Sequence, residues 1–204
     1  RRAAEVQQRL LPREAPVVAG VELAGMMSPA KQLGGDYYDY ILLPGGNVGL
    51  VIADVSGKGM GASLLMASLR AALHSEINPH YRLEAMAAKL NDFVHRMTSP
   101  DRFITFLFCE LNMDTGEIRY VNAGHNPPFI IRKGASDIIM LKARGVALGV
   151  ILDIALEEKE IILDSGDVVV LYTDGVTEAI NAEQEQFGQN RVVAIAEESQ
   201  NLSS

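Results

Sequence analysis

The chain has 204 residues, 48% of them apolar, and a formal net charge of −8. That length fits one domain, or one domain with a short extension, and is enough to bury a sizeable core. The acidic balance argues against nucleic acid as a partner. The single cysteine, Cys109, excludes a disulfide framework or a cysteine metal knuckle, and no stretch approaches the roughly 18 apolar residues of a membrane span.

Ala3–Leu11, "AAEVQQRLL", predicts a short amphipathic helix ended by Pro12. It serves as a packing element or transmits a signal from upstream. Val17–Ala24 alternates like a strand, and Tyr37–Leu43 predicts another, closed by the turn "PGGN". Val48–Asp54 is a continuous apolar run, as expected for a strand buried on both faces. Met60–Ile77 predicts a helix rich in small residues, with Leu64, Leu65, Ser68 and Ala72 on one side, stopped by Asn78-Pro79. Leu83–Met97 predicts a second helix, with Leu83, Met86, Ala87, Leu90, Val94 and Met97 at helical spacing.

Strands dominate the remainder. They are expected at Phe103–Leu111, Glu117–Asn122 after a turn at Met113–Gly116, Pro128–Arg132, Ile138–Leu141, Leu156–Leu163 and Val168–Tyr172, with a closing helix at Gly188–Ser199. Hairpin-joined strands beside two adjacent helices predict an α+β fold with antiparallel sheets. Set in "FLFCEL", Cys109 reads as a core thiol, consistent with a reducing compartment and a cytoplasmic location. No signal peptide is visible. The chain starts at Arg1 rather than at methionine, so a longer protein with an upstream domain is expected.

Two chemistries compete for "IADVSGKGMGASLLMASL", where an apolar strand stops at Asp54 and turns on glycines into a helix. The turn can cradle a phosphate, or the aspartate can hold a metal. A P-loop requires Gly-x4-Gly-Lys-Ser/Thr, but Lys58 is followed by Gly59 and Ile52 stands five residues before Gly57. No dinucleotide fingerprint lies in the turn either. Asp54 has company, however. "LYTDGVTEA" ends an apolar run at Asp174-Gly175, and "GGDYYDY" sets Asp36 after two glycines. Carboxylates and main-chain carbonyls are hard oxygen ligands suited to Mg²⁺ or Mn²⁺. A dication would relieve their mutual repulsion and activate water. Each aspartate taken alone is also an ordinary turn residue.

Four stretches occur together in order: "GGDYYDY" (34–40), "VIADVSGKGMGASLLMA" (51–67), "NAGHNPP" (122–128) and "VVLYTDGVTEA" (169–179). With the lead-in "AAEVQQRLLP", they resemble the bacterial SpoIIE/RsbU-type serine phosphatases, a branch of the metal-dependent, protein phosphatase 2C-like superfamily. The resemblance implies a four-layer αββα sandwich of two antiparallel sheets flanked by helices. Residues 1–14 would be an N-terminal linker or regulatory helix and 15–204 the phosphatase domain, lacking its C-terminal strand with the family's "DD-x-T" aspartates. It implies metal ligation by Asp36, by Asp54 bridging two Mn²⁺ or Mg²⁺ ions, by the Val55 carbonyl and by Asp174, the three aspartates forming the catalytic centre.

The implied reaction is hydrolysis of phosphoserine or phosphothreonine by direct attack of metal-activated water. The implied substrate is a phosphorylated STAS-type anti-anti-sigma protein in a partner-switching pathway, under an upstream sensor or receiver domain. A homodimer through the leading helix is also implied, without nucleic acid or membrane insertion. Without the last aspartate, the alternative is a pseudophosphatase serving as a binding or regulatory module.

Lys58 is a candidate for steadying the substrate phosphate, or a solvated loop lysine. Ser56 stands where eukaryotic relatives place a histidine. His125, among turn formers, reads as a loop anchor. His74, His80 and His95 read as surface residues, and Glu157–Glu160 as a solvated face.

Overall fold

The computed structural model describes residues 7–28, 34–99, 101–134 and 138–200. The chain forms two compact units, one of Arg1–His125 with Ala143–Ile162 and the other of Asn126–Lys142 with Leu163–Ser204. The α+β class and the antiparallel sheets expected from sequence are both observed.

The first unit is built on a five-stranded sheet in the order β1-β2-β3-β4-β7. Its strands are β1 (Tyr37–Leu42), β2 (Val48–Val55), β3 (Ile104–Leu111), β4 (Glu117–Ala123) and β7 (Glu158–Ile162). Every pairing is antiparallel. Two helices, α1 (Met60–Glu76) and α2 (Leu83–Met97), join β2 to β3. One sheet face carries Tyr37, Ala53, Val55, Phe106 and Phe108 in a cluster with Met66, Leu69, Leu83 and Leu90 from the helices. β2 is apolar on both faces, which is why it reads as an unbroken hydrophobic run.

α1 buries Ala62, Ser63, Met66, Leu69 and Leu73 and leaves Leu64 exposed, so its buried stripe differs from the expected one. Small residues all round this helix blur its periodicity, and packing against the sheet chooses the face. α2 follows its predicted span, but Met97 is exposed and Asn91 is fully buried. Asn91 Nδ2 donates to the carbonyls of Ile151 (2.9 Å) and Leu152 (2.6 Å), and its Oδ1 accepts from Gly149 N–H (2.9 Å). The loop at 149–152 is thereby pinned to the helix.

His74 and His80 are exposed as expected, but His74 and His95 have partners that the sequence does not suggest. His74 Nε2 lies 2.8 Å from Oδ2 of the buried Asp39, which also accepts from Tyr37 Oη (2.8 Å) and lies 3.3 Å from Arg70 Nε. His95 Nδ1 is bonded to the Gly149 carbonyl at 2.9 Å. Periodicity cannot reveal partners this distant in sequence.

No strand forms at Val17–Ala24. A single bridge joins Val18 to Val21 around Gly20, whose φ of +81° reverses the chain. Of the leading helix, residues 7–10 are helical, and 3–6 lie outside the described residues.

The second unit has a three-stranded antiparallel sheet, β6-β5-β8, from β5 (Phe129–Ile131), β6 (Ile138–Met140) and β8 (Val168–Val170). Phe129, Ile131 and Tyr172 form its core, against which Val192, Val193 and Ala196 of α4 (Gln189–Gln200) pack. β8 is shorter than expected. Asp174 opens a one-turn helix, α3 (Asp174–Thr177), with Thr173 preceding it.

Candidate metal centre in the first unit

The register of β1 and β2 decides which side chains meet at their shared end. Tyr37 pairs with Ala53. One step further along the same antiparallel register sets Asp36 across from Asp54, on the face opposite Tyr37 and Ala53. Gly35 then falls beside Val55. A Cβ at Gly35 would lie 2.6 Å from the Val55 carbonyl oxygen and 3.2 Å from Asp54 Oδ1. Only a glycine allows this approach, and its φ is ordinary, so the requirement is steric. Asp36 and Asp54 are both half-buried.

The turn after Val55 is held by the two residues that precede β3. Ser56 N–H donates to the Phe103 carbonyl (2.9 Å), Phe103 N–H to Ser56 Oγ (2.9 Å), and Arg102 Nη1 to the Ser56 carbonyl (3.0 Å). Gly57 has φ +92° and lies against the Arg102 guanidinium, while Gly59, at φ +85°, precedes α1. The glycines of "SGKG" therefore make a left-handed turn that joins strand to helix.

Two carboxylates and a main-chain carbonyl at one strand end are hard donors, and the missing side chain at Gly35 lets the chain close directly against two of them. In donor type these residues fit Mg²⁺ or Mn²⁺. Among the described residues, no group of three or more His, Cys, Asp or Glu side chains is close enough to hold an ion. The fit is that of a hydrated cation which takes one or two carboxylates and keeps several waters.

The profile of the family described as Stage II sporulation protein E (SpoIIE) matches residues 44–204. The chain belongs to the SpoIIE family. It is 34% identical over 176 residues to the phosphoserine phosphatase RsbU of Bacillus subtilis, covering 86% of this chain and 52% of RsbU. Among solved structures, the RsbU and RsbW domains of a Mycobacterium tuberculosis protein share 26% identity at a TM-score of 0.68, covering 86% of this chain and 47% of that one. The SiaA-PP2C domain of Pseudomonas aeruginosa superposes with a TM-score of 0.81 at 18% identity, over 97% of this chain and 80% of that domain, and shows the PP2C-like fold. The chain thus spans about half the length of RsbU and of the solved Mycobacterium tuberculosis chain. The resemblance carried by the four motifs is confirmed for family and fold: this is a SpoIIE/RsbU-type domain with a PP2C-like fold. Phosphatases of this kind are generally metal-dependent.

Within this SpoIIE-family domain the remaining site candidates lie as follows. Lys58 is exposed in the Ser56–Gly59 turn. Asp174 belongs to the second unit, exposed at the start of α3, where its carbonyl accepts from Glu178 N–H (2.7 Å). The "NAGHNPP" segment is a clamped loop. Asn122 Oδ1 accepts from His125 N–H (2.7 Å), and Asn122 Nδ2 donates to the His125 carbonyl (3.0 Å). His125 Nδ1 is 2.8 Å from Oγ1 of Thr105, the residue paired with Asp54.

Two contacts at this strand end escaped the sequence reading. Arg102 is one, since nothing local ties it to Ser56. Gln7 is the other. Its Nε2 donates to the Gly34 carbonyl (2.6 Å), and its Oε1 accepts from Gly34 N–H (3.2 Å). The available signal was a glutamine in the apolar stripe between Val6 and Leu10.

Proposed function

We propose that this chain is a metal-dependent protein serine/threonine phosphatase acting on a phosphorylated STAS-type anti-anti-sigma protein. The observation that carries the reading is the seating of Gly35 on the Val55 carbonyl and Asp54 carboxylate, with Asp36 next in the chain. Asp36, Asp54 and the Val55 carbonyl are the proposed ligands on this unit, and Asp174 is the proposed ligand contributed by the Asp-Gly motif. A Mn²⁺ or Mg²⁺ pair, when bound, supplies an activated water and neutralises charge for in-line attack on phosphorus.

The protein's part is to hold carboxylates and carbonyl in place and to keep the turn rigid. The Ser56 hydroxyl accepts the Phe103 N–H and so braces the turn. With serine at this position in place of a histidine, the proton for the leaving oxygen comes from water, from metal-bound water or from another group. Lys58, exposed on the same turn, is the proposed contact to the substrate phosphate.

The partner assignment draws support from RsbU-type relatives and from the Mycobacterium tuberculosis protein whose RsbU and RsbW domains share a structure. Partner-switching regulation accords with both. The reading carries with it an upstream sensor or receiver domain, a homodimer through the leading helix, and a cytoplasmic location. No helix among the described residues is long and apolar enough to cross a membrane.

Phosphate release from phosphoserine and phosphotyrosine peptides, each with Mn²⁺, tests the substrate class. Turnover of the phosphoserine peptide alone is expected. Preference for phosphotyrosine contradicts the assignment, and silence toward both favours a binding module.

A further inference from the structure

We propose that Gln7 is a positioning residue for the Asp36–Asp54 pair, acting through Gly34 and Gly35; the proposal rests on reading that pair as cation ligands. Gln7 is 6% exposed, in a helical turn whose neighbour Gln8 points to solvent. A buried amide is costly unless paired. Both ends of this one are paired to a single residue, the carbonyl and N–H of Gly34.

That pattern is what a neighbouring strand would offer a residue in a ladder. β1 begins only at Tyr37, so the main chain at Gly34 has left the sheet and the Gln7 side chain takes the place of a strand partner. The next residue, Gly35, lies against the Val55 carbonyl and Asp54 Oδ1, and the one after is Asp36. A shift at Gly34 therefore passes through two residues of main chain to both carboxylates.

The apolar attachment of this segment comes from Leu11, which packs on the core of the first unit. Leucine at position 7 would keep that packing and remove only the pairing. This separates positioning from folding. Partners that orient metal ligands typically change metal affinity by roughly 10- to 100-fold when replaced.

The test is calorimetric titration of Mn²⁺ into the metal-free chain for wild type, Gln7→Leu, Gln7→Glu and Gln8→Ala, with thermal unfolding of each recorded without metal. Gln7→Glu keeps the acceptor for Gly34 N–H but sets a carboxylate oxygen against the Gly34 carbonyl. The expected result is Mn²⁺ affinity about 10-fold weaker in both Gln7 variants. Gln8→Ala should match wild type, and Gln7→Leu should unfold at nearly the wild-type temperature. Unchanged affinity in Gln7→Leu overturns the proposal and leaves the phosphatase reading standing. Weakened affinity accompanied by a fall in unfolding temperature worth as much free energy, roughly 3–6 °C for a 10-fold loss at this chain length, also overturns it, because Gln7 is then merely structural. Absence of Mn²⁺ binding by wild type removes the phosphatase reading and this proposal together.

Discussion

At Gly35 the absence of one methyl group shapes the site. Its Cβ would meet a main-chain oxygen, which cannot rotate away as a side chain can. Gly35→Ala is therefore expected to lower stability by about 1–3 kcal/mol and to weaken Mn²⁺ binding, read by thermal unfolding and metal titration. An alanine variant with wild-type values for both would mean that the close approach at Gly35 is not required. Asp39, only three residues after Asp36, has a different task. Strand alternation places it on the helix-facing side, where Tyr37, Arg70 and His74 converge on it. Burial, and then the Asp39 carboxylate, push the Tyr37 hydroxyl well above its usual pKa. Asp39→Ala should cost about 2 kcal/mol, since it strands these partners. At this chain length that lowers the unfolding midpoint by roughly 4–8 °C. At the residue scale, the aspartate at the end of β2 and the glycines before Asp36 were legible because strand and turn chemistry leave local signatures. Gln7, Arg102 and His74 were not, because each acts on a residue far along the chain.

Among elements, legibility followed periodicity. α2 carries its apolar residues at clean helical spacing and appears where expected. α1 has small residues on every face, so its span was readable and its buried stripe was not. The Val17–Ala24 alternation failed because Gly20 turns the chain within it. β8 stops early and the Asp-Gly motif begins a helical turn, so Asp174 is presented by a helix start rather than a strand end. Asn91 shows an element holding a loop in place. Asn91→Ala removes three hydrogen bonds from a fully buried position and leaves main-chain groups of 149–152 unsatisfied. A loss of about 2–3 kcal/mol is expected, with faster proteolysis at the exposed Val150, Ile151 and Leu152. Unchanged cleavage there would mean the loop is held by other contacts.

Over the whole molecule, charge contributes a pH dependence that the run Glu157–Glu160 does not reveal in sequence. Burial and the neighbouring Glu84 carboxyl push Glu158 up to about 7, and the hydrogen bond from Glu158 holds Glu84 below its usual range. Between the ordinary glutamate range and about 7, the folded chain keeps a proton on Glu158 that the unfolded chain releases. Stability therefore falls as pH rises through this window. Glu158→Gln should flatten that fall, as measured by urea unfolding at about pH 5 and about pH 8. Equal falls in variant and wild type would contradict the shared-proton pair.

The α+β class and the antiparallel sheets were readable from hairpin turns and helix spacing. The family was readable because four motifs occur in order. The proposed function joins these scales at one place, with the strand end carrying Asp36, Asp54 and the Val55 carbonyl proposed to bind a divalent cation and to hydrolyse a phosphomonoester. The most direct measurement is release of phosphate from an aryl phosphate, with Mn²⁺ and after chelation, by wild type and Asp54→Asn. Turnover by wild type is expected to require Mn²⁺ and to be abolished in Asp54→Asn. Turnover that survives either chelation or the substitution would contradict it.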